Sequence, residues 1–276
     1  MEKIFEEIIN LKKKRTSFAV ATIVESTGST PRKIGSKMIV KQDGTISGTI
    51  GGGPLEHTVI MEAQKILKDG KAKKLSFELA DLKLTCGGNV EVFVEPFLAR
   101  ERVLIFGAGH IGQCLAPLLL KCGFGVTVID SRQKYLENQI FDDCDKINVK
   151  GYEVTQLNEH AAELKLTGED YIVIVTHGHE YSDGKVLNFA LEQLKEFKYM
   201  GMIGSANKVA TCMNGLMQKG FTEETLKKVY APIGLDTGGE TPDEIAVAIT
   251  AEILKEKYSR TGLNVKNKKG FFASKS

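Results

Sequence analysis

The sequence predicts an α/β protein in two parts: a smaller N-terminal α+β domain followed by a C-terminal domain built on a parallel sheet. Three observations carry this. The apolar run Val103-Leu104-Ile105-Phe106 ends in Gly107-Ala108-Gly109-His110-Ile111-Gly112, a G-x-G-x-x-G turn that enters the helical pattern Gln113 to Leu120. Strand and helix patterns alternate after that turn, the signature of βαβ units. Before it, short β-branched runs are joined by glycine-rich turns, and Glu95-Pro96-Phe97-Leu98-Ala99-Arg100 reads as a linker. We therefore expect domains at 1–98 and 99–260, with a polar, lysine-rich tail at 261–276 that the composition predicts to be disordered.

The glycine turn predicts a Rossmann-like unit. Gly107 permits the sharp turn, Gly109 lets a pyrophosphate approach the backbone, and Gly112 lets helix pack on strand. The helix N-terminus offers unpaired N–H groups to an anion. The next strand, Val126-Thr127-Val128-Ile129, ends in Asp130, 23 positions after Gly107, where such a fold places the acid that binds a ribose hydroxyl. Asp130 favours NAD by that bond, whereas Arg132 could accept a 2′-phosphate, so the sequence leaves NAD against NADP open.

The composition excludes several classes. A net charge of +2 implies no broad basic surface for nucleic acid. Five cysteines without C-x-x-C pairs argue against a disulfide framework or a structural zinc site. The first residues, Met1-Glu2-Lys3-Ile4-Phe5-Glu6-Glu7, are too acidic for a signal peptide. No apolar run approaches the ~18 residues of a membrane span. The expectation is a cytoplasmic protein without membrane contact.

In chain order, Ile4, Phe5, Ile8 and Ile9 predict a short amphipathic helix with a basic end at Lys12 to Arg15. A strand at Phe18 to Val24 leads into a loop dense in hydroxyls and cations, Ser26 to Lys37, which includes Gly28-Ser29-Thr30-Pro31-Arg32. Met38 to Lys41 and Thr45 to Ile50 predict a hairpin. Gly51-Gly52-Gly53-Pro54 then opens a helix at Leu55 to Leu67, with proline suited to its first turn. A strand, three glycines and a helix start form a second candidate anion cradle, to which Arg32, Lys33 and Lys37 could add charge. A tight strand-to-helix connection explains the same residues. Strands at Lys74 to Leu79 and Val90 to Val94 flank Cys86-Gly87-Gly88. A thiol beside two glycines is open to a ligand, unlike Cys114, Cys122, Cys144 and Cys212, which read as small buried hydrophobes.

In the second domain a weak strand at Lys146 to Val149 and a helix near Thr155 to Leu164 precede Asp170 to Thr176, a continuous apolar run expected of a buried parallel strand. Its carboxyl end carries His177-Gly178-His179-Glu180. The histidines could shuttle protons or bind a metal, although alternate residues of an extended segment point apart. A helix at Gly184 to Phe197 and a strand at Tyr199 to Ile203 lead to Gly204-Ser205 at another helix start, with Lys208 one turn in. Phosphate contact and a plain Ser205 N-cap both fit. Thr241-Pro242-Asp243-Glu244 is a capping box with proline at the first helical position.

As a set these residues resemble the XdhC/CoxI family, accessory proteins of xanthine dehydrogenase and related molybdenum hydroxylases. The likeness rests on Ala21 to Val24, Gly28 to Arg32, Gly51 to Gly53 and Cys86 to Gly88 in the first domain. In the second it rests on Gly107 to Gly112, Thr176 to Glu180, Tyr199 to Ser205 and Gly239 to Ala246. The resemblance implies a non-catalytic carrier that binds the molybdenum cofactor, holds it for sulfuration by a cysteine desulfurase and inserts it into the apo-hydroxylase. We expect the chain to act as a homodimer. Cys86 would then contact the molybdenum, with Arg32, Gly51, Gly52 and Gly53 cradling the polar parts. Gly107, Gly109, Gly112, Asp130, His177, His179, Gly204 and Ser205 would line the second cofactor-binding region. One departure is Pro54, where many relatives carry cysteine. The competing reading is an NAD(P)-dependent oxidoreductase with His177 or His179 as general acid. A nucleotide sensor without turnover is a third.

Overall fold

The structure, a computed structural model, describes residues 2–13, 16–81, 87–177 and 182–265. The chain divides into two compact units between Arg100 and Glu101, two residues beyond the boundary expected from sequence.

The first unit comprises α1 (Glu2–Lys13), β1 (Phe18–Thr27), β2 (Lys37–Lys41), β3 (Ile46–Gly48), α2 (Gly53–Asp69), β4 (Lys73–Glu78) and β5 (Asn89–Phe97). Its sheet is antiparallel, in the order β3-β2-β1-β5-β4. β1 sits centrally, and its alternating side chains separate two cores. Ala19, Ala21 and Ile23 face Leu55, Val59, Ala63 and Ile66 of α2. Phe18 and Val20 face Leu11 of α1 on the other side. Pro96, expected in the linker, instead pairs opposite Ala19 within β5. β4 pairs with β5 only as far as Val94, so the N–H that Pro96 lacks falls where β5 has no second neighbour.

The second unit runs β6 (Arg102–Phe106), α3 (His110–Lys121), β7 (Gly125–Asp130), α4 (Gln133–Leu136), a 3-10 turn (Gln139–Phe141), β8 (Asp145–Asn148), α5 (Val154–Glu159) and α6 (Ala161–Leu164). It continues with β9 (Tyr171–Ile174), α7 (Ser182–Gln193), β10 (Tyr199–Met202), α8 (Ala206–Gln218), α9 (Glu223–Leu226) and α10 (Pro242–Lys257). The helix expected near 155–164 is broken at His160 into α5 and α6. The sheet is parallel in the order β10-β9-β6-β7-β8. Val103 and Ile105 of β6 face α3 and α10, whereas Leu104 and Phe106 face the layer containing α7 and α8. The strand order reverses between β6 and β9. In such sheets the ligand crevice opens there, outside the carboxyl ends of the strands.

Arg102 anchors the opposite end of this sheet, donating Nε to Asp170 Oδ1 at 2.8 Å and Nη2 to Asp170 Oδ2 at 2.6 Å. The capping box read from sequence is formed: Thr241 Oγ1 accepts from Glu244 N at 3.3 Å, and Glu244 Oε2 accepts from Thr241 N at 3.0 Å. Only 261–265 of the expected tail fall among the described residues, and they are exposed.

Candidate functional site

Three segments far apart in sequence meet in the first unit. Gly28 has a φ of +75°, and a Cβ there would come within 3.0 Å of Gly88 Cα. A Cβ on Gly88 would collide with the Thr27 carbonyl oxygen and stand 2.7 Å from that of Ser29. Gly51 is equally tight, since its Cβ would approach Pro31 Cγ to 2.6 Å. The loop carrying Gly28, Pro31 and Arg32 is thus clamped between the triple glycine and the turn after residue 86. Among the described residues nothing comes within 4 Å of a Cβ on Gly52 or Gly87, and the Arg32 stem passes 3.9 Å from the position of a Gly51 Cβ. Arg32 itself is exposed.

The triple glycine differs from expectation in one respect. The amides expected to face an anion are directed at the protein's own Glu56. Its Oε1 accepts from Ile50 N at 3.0 Å, Gly51 N at 3.3 Å, Gly52 N at 2.9 Å and the Thr49 hydroxyl at 2.5 Å. Burial pushes the Glu56 carboxyl up, but the Thr49 hydroxyl and backbone amides outweigh it and hold the group below its usual range. Lys37 is also spent internally, donating to Thr22 Oγ1 at 2.9 Å. Among the loop cations, Arg32 keeps its exposed position beside Gly51. Cys86, the expected molybdenum contact, lies outside the described residues.

In the second unit the three glycines of the turn have separate tasks. Gly107 (φ +123°) lies so close to β9 that a Cβ would stand 2.7 Å from the Val175 carbonyl carbon. A Cβ on Gly112 would overlap the Gly107 carbonyl oxygen, so this glycine seats α3 on β6. Gly109 has neither constraint: its φ is −74°, and among the described residues a Cβ would meet nothing nearer than Arg132 Nη2 at 4.0 Å. No side chain caps α3 at Gly109, and its first turn holds no acid. Open space over an uncapped helix start suits an anionic group.

Asp130 ends β7 and is fully buried. Its Oδ1 accepts from Arg132 N and Arg132 Nε, both at 2.9 Å. Its Oδ2 accepts from Ala108 N at 2.7 Å and Arg132 Nη2 at 2.9 Å. Burial would raise the carboxyl, but the Arg132 side chain and the Ala108 amide overcome this and hold it below its ordinary value. The Tyr152 hydroxyl is pushed upward by burial first and by the Asp130 charge second, so it stays neutral. The expected ribose acid is therefore directed inward, onto the glycine turn.

A second buried carboxylate lies below the carboxyl end of β9. Asp183, 1 % exposed, accepts from Thr176 N at 3.0 Å, from the Thr176 hydroxyl and from Lys208 Nζ. Lys208, read from sequence as a phosphate contact, is thereby tied to α7. Ser205 caps α8, its hydroxyl accepting from Lys208 N at 3.4 Å, and Gly204 packs beside the Lys208 side chain. His177 is half-buried at the crevice rim, and His179 lies outside the described residues. Among the described residues no group of three or more His, Cys, Asp or Glu could hold a metal ion. None of their helices is long and apolar enough to cross a membrane.

Sequence reasoning missed Glu56 and Asp183. Glu56 lies four residues after the Gly52 cap, a spacing at which a side chain can fold back on the first amides, and that signal was available. Asp183 was visible as an acid in the first turn of a helix, but its partner Lys208 is 25 residues away.

Comparison with known proteins follows this division. Residues 103–253 match the XdhC Rossmann domain, and residues 11–78 match the XdhC and CoxI family. YqeB of Escherichia coli (strain K12) is 31% identical over 94% of the chain and 47% of its own length. A probable xanthine dehydrogenase subunit of Bacillus subtilis (strain 168) is 30% identical over 60% of the chain and 46% of its own. The chain thus spans about half the length of these two relatives. The molybdenum cofactor insertion chaperone PaoD of Escherichia coli (strain K12) is 22% identical, covering 85% of the chain and 81% of PaoD. A xanthine dehydrogenase of known structure from Bacillus halodurans superposes with a TM-score of 0.49 at 24% identity, over 93% of the chain and 96% of that one. With its Rossmann unit and most of its first unit each matched over their length, the chain belongs to the XdhC and CoxI family.

Proposed function

We propose that the protein is a molybdenum cofactor carrier, an accessory to a xanthine dehydrogenase-type hydroxylase that holds the cofactor for sulfuration and insertion. The observation that carries this is the convergence of Gly28 to Arg32, Gly51 to Gly53 and Gly87-Gly88 on one surface of the first unit. The likeness to PaoD, a molybdenum cofactor insertion chaperone matched over most of both chains, supports it.

The residues present fit the group. Molybdopterin is anionic and bears a phosphate, and Gly52 and Gly87 leave space for it beside an exposed guanidinium at Arg32. When bound, the cofactor supplies the molybdenum centre that receives a terminal sulfur. The chain's part is to hold it: Arg32 balances its charge, and the backbone around Gly52, Gly53 and Gly87 approaches closely because no Cβ intervenes. Cys86, next to Gly87, is the proposed thiolate contact, an assignment resting on the resemblance and on softness matching. Pro54 leaves that role to one cysteine. A cysteine desulfurase as sulfur donor, a homodimeric state and a cytoplasmic location belong to the same proposal. Catalysis by the chain is not required.

The test is co-elution. The full chain is incubated with molybdenum cofactor, passed over a size-exclusion column, and the protein peak assayed for molybdenum. Retention by the wild type, reduced in Arg32→Ala and in Cys86→Ala with unchanged circular dichroism, is expected. Absence of molybdenum from the wild-type peak overturns the proposal.

A further inference from the structure

The Rossmann crevice of the second unit carries an inference independent of the first unit's surface. An acid at the end of the second strand ordinarily binds a ribose diol, which requires free carboxylate lone pairs. Asp130 has none to offer. It is fully buried, and its two oxygens already take four N–H groups, from Ala108, the Arg132 backbone and two Arg132 side-chain nitrogens. What reaches the crevice instead is Arg132. Its side chain is 26% exposed, its guanidinium carbon lies 3.8 Å from the Tyr135 ring centroid, and Nη2 stands 4.0 Å from where a Gly109 Cβ would be.

A guanidinium carries five N–H donors. Asp130 uses one on Nε and one on Nη2, and among the described residues no partner takes either hydrogen of Nη1 or the second of Nη2. The paired carboxylate and the Tyr135 face fix the plane, so little side-chain freedom is lost when these donors bind. We propose that Arg132 is the specificity-determining residue of the crevice, selecting a ligand with a phosphate monoester there and rejecting one that presents a free ribose diol. Two sources share that chemistry: the 2′-phosphate of a nicotinamide dinucleotide, and the terminal phosphate of a molybdenum cofactor held in this crevice instead of on the first unit.

The full chain lacks tryptophan, so nicotinamide fluorescence can be followed without energy transfer from that residue. NADPH and NADH are titrated separately, and molybdenum cofactor binding is measured by equilibrium dialysis. The same titrations are run on Arg132→Gln and on Arg132→Lys, which keeps a positive charge beside Asp130. Circular dichroism monitors folding, and the wild-type NADPH-to-NADH ratio needs no variant. NADPH binding about tenfold or more tighter than NADH, the worth of one charge-assisted hydrogen bond, and loss of that preference in Arg132→Gln support the proposal with a dinucleotide as source. Cofactor binding weakened by a similar factor in Arg132→Gln, with neither dinucleotide bound, supports it with the cofactor as source. Equal affinities for the two dinucleotides overturn it, as does binding of none of the three ligands. Cofactor binding untouched by Arg132→Gln, without NADPH preference, also overturns it and leaves the carrier reading standing. NADPH preference without any cofactor binding does the reverse.

Discussion

Gly88 lies against Thr27: a Cβ on the glycine would collide with the threonine carbonyl oxygen, and Thr30 Cγ2 would stand only 3.0 Å away. Thr27 ends β1 and Thr30 lies in the loop that follows, which is clamped on its other side by Gly51 through Pro31, so the backbone has little room to give. Gly88→Ala is therefore expected to destabilise the first unit by about 1–3 kcal/mol through overpacking. Gly87→Ala, with no atom of the described residues within 4 Å of its Cβ, is expected to change thermal stability little. Paired melting curves check this, and equal losses would remove the close approach as the reason for Gly88.

Glu56 provides a pH prediction. Its folded carboxyl is held below the ordinary value by Thr49 and three amides, once the opposing effect of burial is overcome. A depressed carboxyl stabilises the fold fully above its unfolded value and loses that contribution as pH falls through the folded one. Wild-type stability should decline on acidification through that window, whereas Glu56→Gln, less stable at neutral pH by about 1–3 kcal/mol, should decline less steeply. Chemical denaturation at neutral pH and in the acid range measures both slopes, and parallel slopes would refute the assignment.

The fold was legible because its signals are local. Val103 to Phe106 is apolar at every position since a parallel strand is covered on both faces, and Thr241 with Glu244 announces a helix start within four residues. The sites were only half legible. The glycines could be located, but whether their amides stay open depends on side chains that return from elsewhere. Glu56 folds back on Gly51 and Gly52, and Asp130 reaches across 22 residues to Ala108. The spacing assigns Gly107, Gly109 and Gly112 separate tasks, and packing separates them the same way, the first and last lying against backbone and Gly109 not.

Asp183 and Lys208 differ in what their removal leaves behind. Lys208→Met strands a carboxylate that is 1 % exposed, to which the two donors of Thr176 alone remain among the described residues. Asp183→Asn keeps an oxygen for Thr176, and the released ammonium, 39% exposed in its side chain, can turn to water. Lys208→Met is expected to cost about 3 kcal/mol and Asp183→Asn about 1 kcal/mol. Denaturant unfolding of the two variants tests the order, which would be reversed if the ammonium depended on Asp183 for its solvation.

Gly109 and Gly112 separate stability from binding within one turn of chain. A Cβ at Gly112 overlaps the Gly107 carbonyl oxygen at the seat of α3, so Gly112→Ala should destabilise the second unit by about 1–3 kcal/mol whether or not ligand is present. A Cβ at Gly109 meets no atom of the described residues nearer than 4.0 Å, and its backbone already has a φ of −74° that alanine accepts. Gly109→Ala should leave the melting temperature within about a degree of wild type, since surface substitutions away from special features stay within ~0.5 kcal/mol. The same methyl group would occupy the space over the start of α3, so phosphate-bearing ligands should bind about tenfold or more weakly. A Gly109→Ala protein that is both fully stable and fully competent for NADPH and molybdenum cofactor would show that no ligand phosphate uses this helix start. The glycine would then have no explanation in either the packing or the chemistry of the crevice.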